Sequence, residues 1–394
     1  MKKTLSLLFS AAATCTAFAQ SSVTLYGLMD LSVGASNVGQ GTTLPSGTVP
    51  TAKGVSIKRM DSGLVFGSRL GFRGQEDLGA GLRANFLMEM GINATNGTFN
   101  QGGLAFGRQI FVGLGGSNWT LTAGRQYTPM DLQIASSEPL GGGYWGNITG
   151  EALAAYESIG STAGNGTFQL AARADNSLLL SMKTGELTFN VMGALGNTAA
   201  ATPGYGRFFN AGVTYASGPL RADVSFVRMR QNIEQVKVGA ASEWMNQWLV
   251  GGSYDFGAAK LYAGAFEFNG PKNRANLSTV ATLGAVGANG QAFAWDKNRL
   301  VWIGTAVPLG GGTLKAQVAR ETYPYVGAAS GTSTILGLAY DYPLSKRTVP
   351  YISYGQVTND SRARTPLYGA IPLVGPNGFD SDPRAFSVGV YHRF

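Results

Sequence analysis

Apolar and polar residues alternate one by one in segment after segment of this chain, and this pattern constrains the fold more than any other feature. Residues 82–90, 186–192 and 220–226 each carry apolar side chains at every second position and mostly polar ones between them. A helix would instead repeat its apolar positions at spacings of three and four. The alternation therefore predicts β-strands with one apolar face and one polar face.

Composition indicates where such strands would be stable. The chain is 44% hydrophobic but only 13% charged, against about 25% charged in soluble domains, and its mean hydropathy is only +0.03. After the N-terminal segment we find no apolar run of the roughly 18 residues that a membrane-spanning helix needs. Apolar content without apolar runs is typical of strands that face lipid on one side and water on the other.

Two kinds of connection separate the alternating segments. Short turns rich in glycine or proline occur around 77–79 and 217–219, whereas 36–55, 270–295 and 359–381 are long and polar. Short turns at one end and long loops at the other are typical of bacterial membrane barrels, and an even strand number closes the sheet. We count about sixteen strands by this rule. The predicted fold class is all-β, a 16-stranded antiparallel transmembrane β-barrel.

The N-terminus has the features of an export signal. Lys2 and Lys3 precede the apolar stretch 5–9, and Ala17-Phe18-Ala19 ends the segment as an A-x-A cleavage site. We expect residues 1–19 to be a cleaved signal peptide and 20–394 to form a single barrel domain. Cys15, the only cysteine, lies inside the signal, so the mature chain would contain no disulfide.

Several classes of site are disfavoured. The single histidine, His392, lies close to the C-terminus, which argues against histidine-dependent catalysis and histidine-rich metal sites. Gly79-x-Gly81-x-x-Ala84 fits a loose dinucleotide fingerprint, but a strand follows it where the fingerprint requires a helix. We therefore expect no enzymatic activity, cofactor, metal or nucleic-acid partner. Without Lys2 and Lys3 the chain has 28 basic and 22 acidic residues, a formal charge of +6.

Short motifs spread over the whole chain carry a family resemblance. They are 22–27 (SVTLYG), 68–74 (SRLGFRG), 76–79 (EDLG), 106–108 (FGR), 111–114 (FVGL), 124–126 (GRQ), 173–177 (RADNS) and 391–394 (YHRF). With these motifs in this order, the chain resembles the Gram-negative general porins, nearest to their neisserial and β-proteobacterial branch.

The resemblance implies an architecture and a site. It implies a homotrimer of barrels, each with its long third loop, here 127–165, folded into the lumen. Wall arginines would face acidic groups on that loop at a pore constriction. Carried over residue by residue, the constriction comprises Arg69, Arg108 and Arg173 on the wall and Glu138 on the loop. Alternation puts Arg69 and Arg173 on the polar face, whereas Arg108 shares its parity with the apolar Ile110.

Weaker pore-lining candidates are Arg59, Arg83, Asp131, Glu151 and Glu157. The implied function is an outer-membrane diffusion channel for ions and small hydrophilic solutes, in contact with lipid and lipopolysaccharide. The arginines and the net positive charge lead to the hypothesis that the channel prefers anions. A solute-specific channel, an adhesin or structural barrel, and an outer-membrane enzyme are the alternatives.

Overall fold

A computed structural model describes most of the chain. The described residues are 22–39, 41, 54–150, 172–195, 207–231, 243–269, 285–286, 292–293, 297–324, 329–363, 365–374 and 380–394. The helices in these ranges are α1 (Pro129–Ser136) and a 3-10 helix at Gln101–Gly103. No helix in these ranges is long and apolar enough to cross a membrane.

Strands account for most of the described residues. They are β1 (Ser22–Asn37), β2 (Ser56–Ser62), β3 (Arg69–Gly79), β4 (Leu82–Gly91), β5 (Gln109–Gly115), β6 (Trp119–Tyr127), β7 (Arg173–Thr184), β8 (Leu187–Leu195), β9 (Arg207–Ser217), β10 (Leu220–Gln231), β11 (Glu243–Asp255), β12 (Lys260–Asn269), β13 (Ala285–Val286), β14 (Ala292–Phe293), β15 (Lys297–Leu309), β16 (Gly312–Tyr323), β17 (Gly331–Asp341), β18 (Thr348–Asn359), β19 (Leu367–Tyr368), β20 (Leu373–Val374) and β21 (Arg384–Arg393).

Seventeen of these strands form one antiparallel sheet that closes on itself. β1 pairs with β21 and so joins the two ends of the sheet. The strands β2 and β3 pair with successive halves of β1 and form one wall strand, interrupted at 63–68. Counted this way the barrel has sixteen strands, which confirms the predicted fold class.

The interruption at 63–68 is held by a buried carboxylate. Asp30 on β1 accepts hydrogen bonds from the backbone N–H groups of Val65 and Phe66, at 2.7 and 2.8 Å. The side chain of Leu64 is fully buried. The polypeptide therefore leaves the wall between β2 and β3, turns inward, and returns in a fixed conformation.

Side chains alternate between the two faces of the wall as the sequence predicts. On β21, Phe386, Val388 and Val390 are exposed, whereas the intervening Ser387 is fully buried. Phe86 pairs with Val112, which is 61% exposed, so the apolar positions of 82–90 face outward. The outer face is thus suited to lipid, and the buried alternate positions face the interior.

Short turns connect the strands at one end of the barrel. Gly310 and Gly311, between β15 and β16, have φ angles of 55° and 84°. Two successive residues with positive φ form the hairpin turn whose twist matches that of the flanking strands, and glycine adopts this conformation without strain. The opposite end carries the long connections, including 92–108, 128–172 and 360–383.

Candidate functional site: an arginine-lined cavity inside the barrel

The connection after β6 follows the inward-facing side of the wall. In α1, the Met130 N–H donates to Asn210 Oδ1 at 2.9 Å, and Gln133 Nε2 donates to the Val213 carbonyl at 3.1 Å. The apolar residues Met130 and Ile134 are buried, and α1 contacts β8 to β11. The start of the connection is therefore packed against one side of the interior.

Its distal part reaches the opposite side of the ring. The Trp145 N–H donates to Ser353 Oγ on β18, and its indole Nε1 donates to Ser387 Oγ on β21, both at 2.9 Å. The Tyr144 hydroxyl donates to the carboxylate of Asp341 on β17. Contacts with strands this far apart place residues 128–150, which we call the inner segment, inside the barrel. Of the predicted loop 127–165, residues 151–165 lie outside the described residues.

A glycine on the wall permits the close approach of this segment. A Cβ atom at Gly355 would lie 2.7 Å from the carbonyl carbon of Trp145. Any larger residue there would displace the segment. The wall strand and the inner segment thus have complementary shapes.

A cavity of about 510 Å³ lies between the wall and the inner segment. Its lining includes Arg69, Arg108, Arg173, Tyr127 and Asp131. The three arginines predicted for the constriction therefore border one space. Asp131, predicted as a weaker candidate, is the loop carboxylate among the described residues of that lining.

Arg108 and Arg69 share one carboxylate, Glu89 on β4. Arg108 Nε lies 2.7 Å from Glu89 Oε1, and Arg69 Nη1 lies 3.8 Å from Glu89 Oε2. Tyr26 adds a hydroxyl donor to Glu89 at 2.9 Å. Arg108 faces the interior despite its parity because it precedes β5, which begins at Gln109. Alternation constrains only residues inside a strand.

Tyr127 lies between two of the guanidinium groups. Its hydroxyl accepts a hydrogen bond from Arg108 Nη2 at 2.6 Å and another from Arg173 Nη2. The Arg173 Cζ lies 4.2 Å from the centroid of the Tyr127 ring, which is the geometry of a cation–π contact. Tyr127 therefore holds both arginines without neutralising their charge.

Asp131 is positioned by the start of α1. The Thr128 hydroxyl caps the helix by accepting a hydrogen bond from the Asp131 N–H at 3.3 Å. Burial raises the pKa of the Asp131 carboxyl to about 7, although the charges of Arg173 and Arg108 act to lower it. This carboxyl therefore titrates close to neutral pH.

Glu138 lies elsewhere on the inner segment and does not border the cavity. Its carboxylate accepts hydrogen bonds from the N–H groups of Gly142, Ile148 and Thr149 at 2.9–3.1 Å. Burial raises the pKa of Glu138, and hydrogen bonds from Thr149, Ile148 and Gln317 oppose the shift. The contacts tie two parts of the segment together, so the side chain positions the loop.

The remaining candidates lie apart from the cavity lining. Arg59 faces the interior, where Nε contacts Asp61 Oδ2 at 2.6 Å and Cζ lies 5.2 Å from the Trp145 ring. Arg83 is also inward-facing, but it donates to the Gly116 carbonyl at 2.7 Å near the turn end. Glu151 and Glu157 lie outside the described residues.

Two residues that bind the cavity arginines were not predicted as site residues. Glu89 shares its strand parity with Arg83, so its inward orientation was visible in the sequence, but its partners were not. Tyr127 immediately precedes the long connection and gave no signal in the sequence. A third feature, the segment 365–374, also lines the cavity and was predicted only as part of an outer loop.

Comparisons with known proteins identify the family and the fold. The chain is 28% identical to an outer membrane porin protein of Bordetella pertussis and 28% identical to outer membrane porin protein 32 of Delftia acidovorans, each over 100% of both chains. The anion-selective porin from Comamonas acidovorans has the same fold, with a TM-score of 0.74 at 24% identity over 95% of this chain and 100% of that one. A family model for Gram-negative porins matches residues 5–362. The chain belongs to the Gram-negative porin family.

Proposed function

We propose that this porin is a passive diffusion channel for ions and small hydrophilic solutes that prefers anions. The observation that carries the proposal is the lining of one interior cavity by Arg69, Arg108 and Arg173. A solute that crosses the barrel through this space would meet three fixed guanidinium groups.

Among the residues that the structure describes, the charges near the cavity do not cancel. Glu89 is the ion-pair partner of both Arg69 and Arg108, so one carboxylate is shared between two cations. Asp131 is only partly ionised near neutral pH, because its pKa is about 7. The group of three arginines and two carboxyls therefore has a net positive charge. Low-dielectric walls focus such a field along a pore and raise the local concentration of anions.

The outer face of the barrel supports a location in the Gram-negative outer membrane, in contact with lipid and lipopolysaccharide. Exposed, outward-facing basic residues occupy the loop ends of strands: Lys58, Arg207, Arg228, Arg299, Arg320 and Arg384. Outward-facing aromatic residues occur at the turn end, including Tyr215, Tyr254 and Phe256. Basic residues at a membrane surface are attracted to anionic head groups, and aromatic residues anchor at an interface. The proposed orientation places the loop end toward the phosphate-rich outer surface.

The proposal includes three further elements. Residues 1–19 are a signal peptide that is cleaved on export, the mature barrel comprises 20–394, and three copies assemble into a homotrimer. The barrel acts as a channel and not as an enzyme, a view supported by relatives that are named as porins. Mass spectrometry of the mature N-terminus and the molar mass in detergent test the cleavage site and the trimer separately.

The channel is tested by conductance in a planar lipid bilayer under a salt gradient. We expect stable ohmic steps in groups of three and a reversal potential of the sign given by anion preference. A reversal potential of the opposite sign would overturn the electrostatic assignment while leaving the pore. If folded protein gives no conductance, the channel itself is refuted.

A further inference from the structure

A second segment enters the interior from the loop end of the barrel. Between β18 and β21, the short strands β19 and β20 form a hairpin, with Leu367 paired to Val374 and Tyr368 paired to Leu373. We refer to residues 365–374 as the inner hairpin. Leu367 and Val374 are buried. At its base, the Thr365 N–H donates to Asn359 Oδ1 at 2.8 Å.

The tip of the inner hairpin is fixed to the wall interruption at 63–68. The N–H groups of Ala370 and Ile371 donate to the carbonyls of Leu64 and Gly63, at 2.9 and 3.1 Å. The Tyr368 carbonyl accepts a hydrogen bond from the Gly146 N–H at 3.0 Å, which joins the hairpin to the segment after β6. Backbone hydrogen bonds on two sides therefore hold the hairpin against the cavity as part of its wall.

The hairpin gives the cavity a second, apolar side. Ile371 and Leu132 of α1 both line the cavity and remain 38% and 52% exposed. A Cβ atom at Gly67 would lie 2.7 Å from Arg108 Nη1 and 3.3 Å from Ile371 Cδ1. A guanidinium group and an exposed apolar side chain therefore border the same small space, separated only by a glycine.

These two kinds of surface complement an amphipathic anion. Guanidinium groups bind carboxylates through paired, charge-assisted hydrogen bonds. Exposed apolar side chains gain free energy when a hydrocarbon group covers them. A volume of about 510 Å³ lies within the range of small-molecule sites. We infer that the inner hairpin makes this cavity a binding site for small organic carboxylates with an apolar body.

The inference rests on the proposed anion-conducting function and adds discrimination among anions of equal charge. An inorganic anion or acetate would use the arginines alone, whereas an aromatic carboxylate would also cover Ile371 and Leu132. The added contact is expected to favour binding of the larger anion by about tenfold.

Block of the chloride current in planar bilayers tests this selectivity, with benzoate and acetate added from the loop side as probes of equal charge. In the unaltered channel we expect benzoate to block at about tenfold lower concentration than acetate. Ile371→Asn removes the apolar contact at similar size, and we expect the difference between the probes to fall to about threefold or less. Leu132→Asn makes the same test from α1 and does not depend on correct folding of the hairpin.

Leu87→Asn is the matched control, because Leu87 is an inward-facing apolar residue of β4 outside the cavity lining. It should retain the preference for benzoate. Equal block by both probes in the unaltered channel, or unchanged benzoate block in both cavity variants, would overturn the inference. The reversal potential in potassium chloride, recorded on the same channels, tests the anion preference separately.

Discussion

The ion selectivity of this channel should depend on pH near neutrality, because the Asp131 carboxyl faces the arginine-lined cavity with a pKa of about 7. Below that pKa the carboxyl is neutral and the positive charge of the arginines is least opposed. As the pH rises from about 6 to about 8, ionisation adds a negative charge. The preference for anions over cations is therefore expected to fall as pH rises.

The magnitude follows from Coulomb's law. One unit charge at about 6 Å from a permeating ion contributes roughly 0.4–0.7 kcal/mol in water, depending on screening by salt. The contribution has opposite signs for anions and cations. The ratio of anion to cation permeability should therefore change by about four- to tenfold across the titration.

The assay is the reversal potential under a fixed salt gradient, recorded at intervals between about pH 5 and pH 9. Asp131→Asn should keep the high anion preference of the acidic channel at every pH. Asp175→Asn is the matched control, since Asp175 pairs with Arg125 and does not border the cavity. A titration that persists in Asp131→Asn would refute the assignment, because another group would then be responsible.

Three further substitutions test the site and its support. Arg173→Gln removes one cavity charge and should lower the anion-to-cation permeability ratio by about four- to tenfold, measured as a reversal potential. Glu138→Gln replaces a carboxylate that accepts several loop N–H groups, so the loop should lose about 1–3 kcal/mol of anchoring, measured as faster proteolysis within the loop and a noisier current. Gly355→Val places a side chain against the backbone of Trp145 and should push the loop into the lumen, which would lower the single-channel conductance.

Each substitution has a control of the same chemistry outside the site. Lys183→Gln removes a charge from the exposed turn end of the strand that carries Arg173. Glu186→Gln neutralises an exposed turn carboxylate, and a Cβ atom at Gly193 would meet nothing within 4 Å, so Gly193→Val adds bulk without a contact. A control that reproduces its partner's effect would indicate a general change in the barrel and would contradict the local explanation.

The sequence predicted the wall of this barrel better than its interior. Period-two alternation is a local property, so it identified the strands, their faces and the inward orientation of Arg69. It could not orient Arg108, because a residue just outside a strand is not bound by the parity of that strand. The contacts of Glu138 depend on loop N–H groups whose positions follow from tertiary folding. The family resemblance assigned Glu138 to the constriction, whereas its carboxylate accepts these loop N–H groups and does not line the described cavity.

The position of the inner hairpin also could not be predicted from local sequence pattern. Residues 367–374 are too short and irregular to give a strand signal, and their inward position is set by contacts with Gly63 and Leu64, some 300 residues earlier in the chain. The sequence placed them in an outer loop. The residues that shape the cavity opposite the arginines were therefore not predictable from local pattern.

The seam between β1 and β21 has a consequence for how the barrel assembles. Leu28 pairs with Arg393, and Gly27 and Phe394 exchange two backbone hydrogen bonds at 3.0 and 3.1 Å. Contacts between such distant positions in a chain form late, because a large loss of chain entropy precedes them. Until they form, every partly built sheet carries two unpaired edges that can recruit other strands. Closure of this seam pairs both remaining edges at once, and it thereby removes the surface through which a partly built sheet could aggregate.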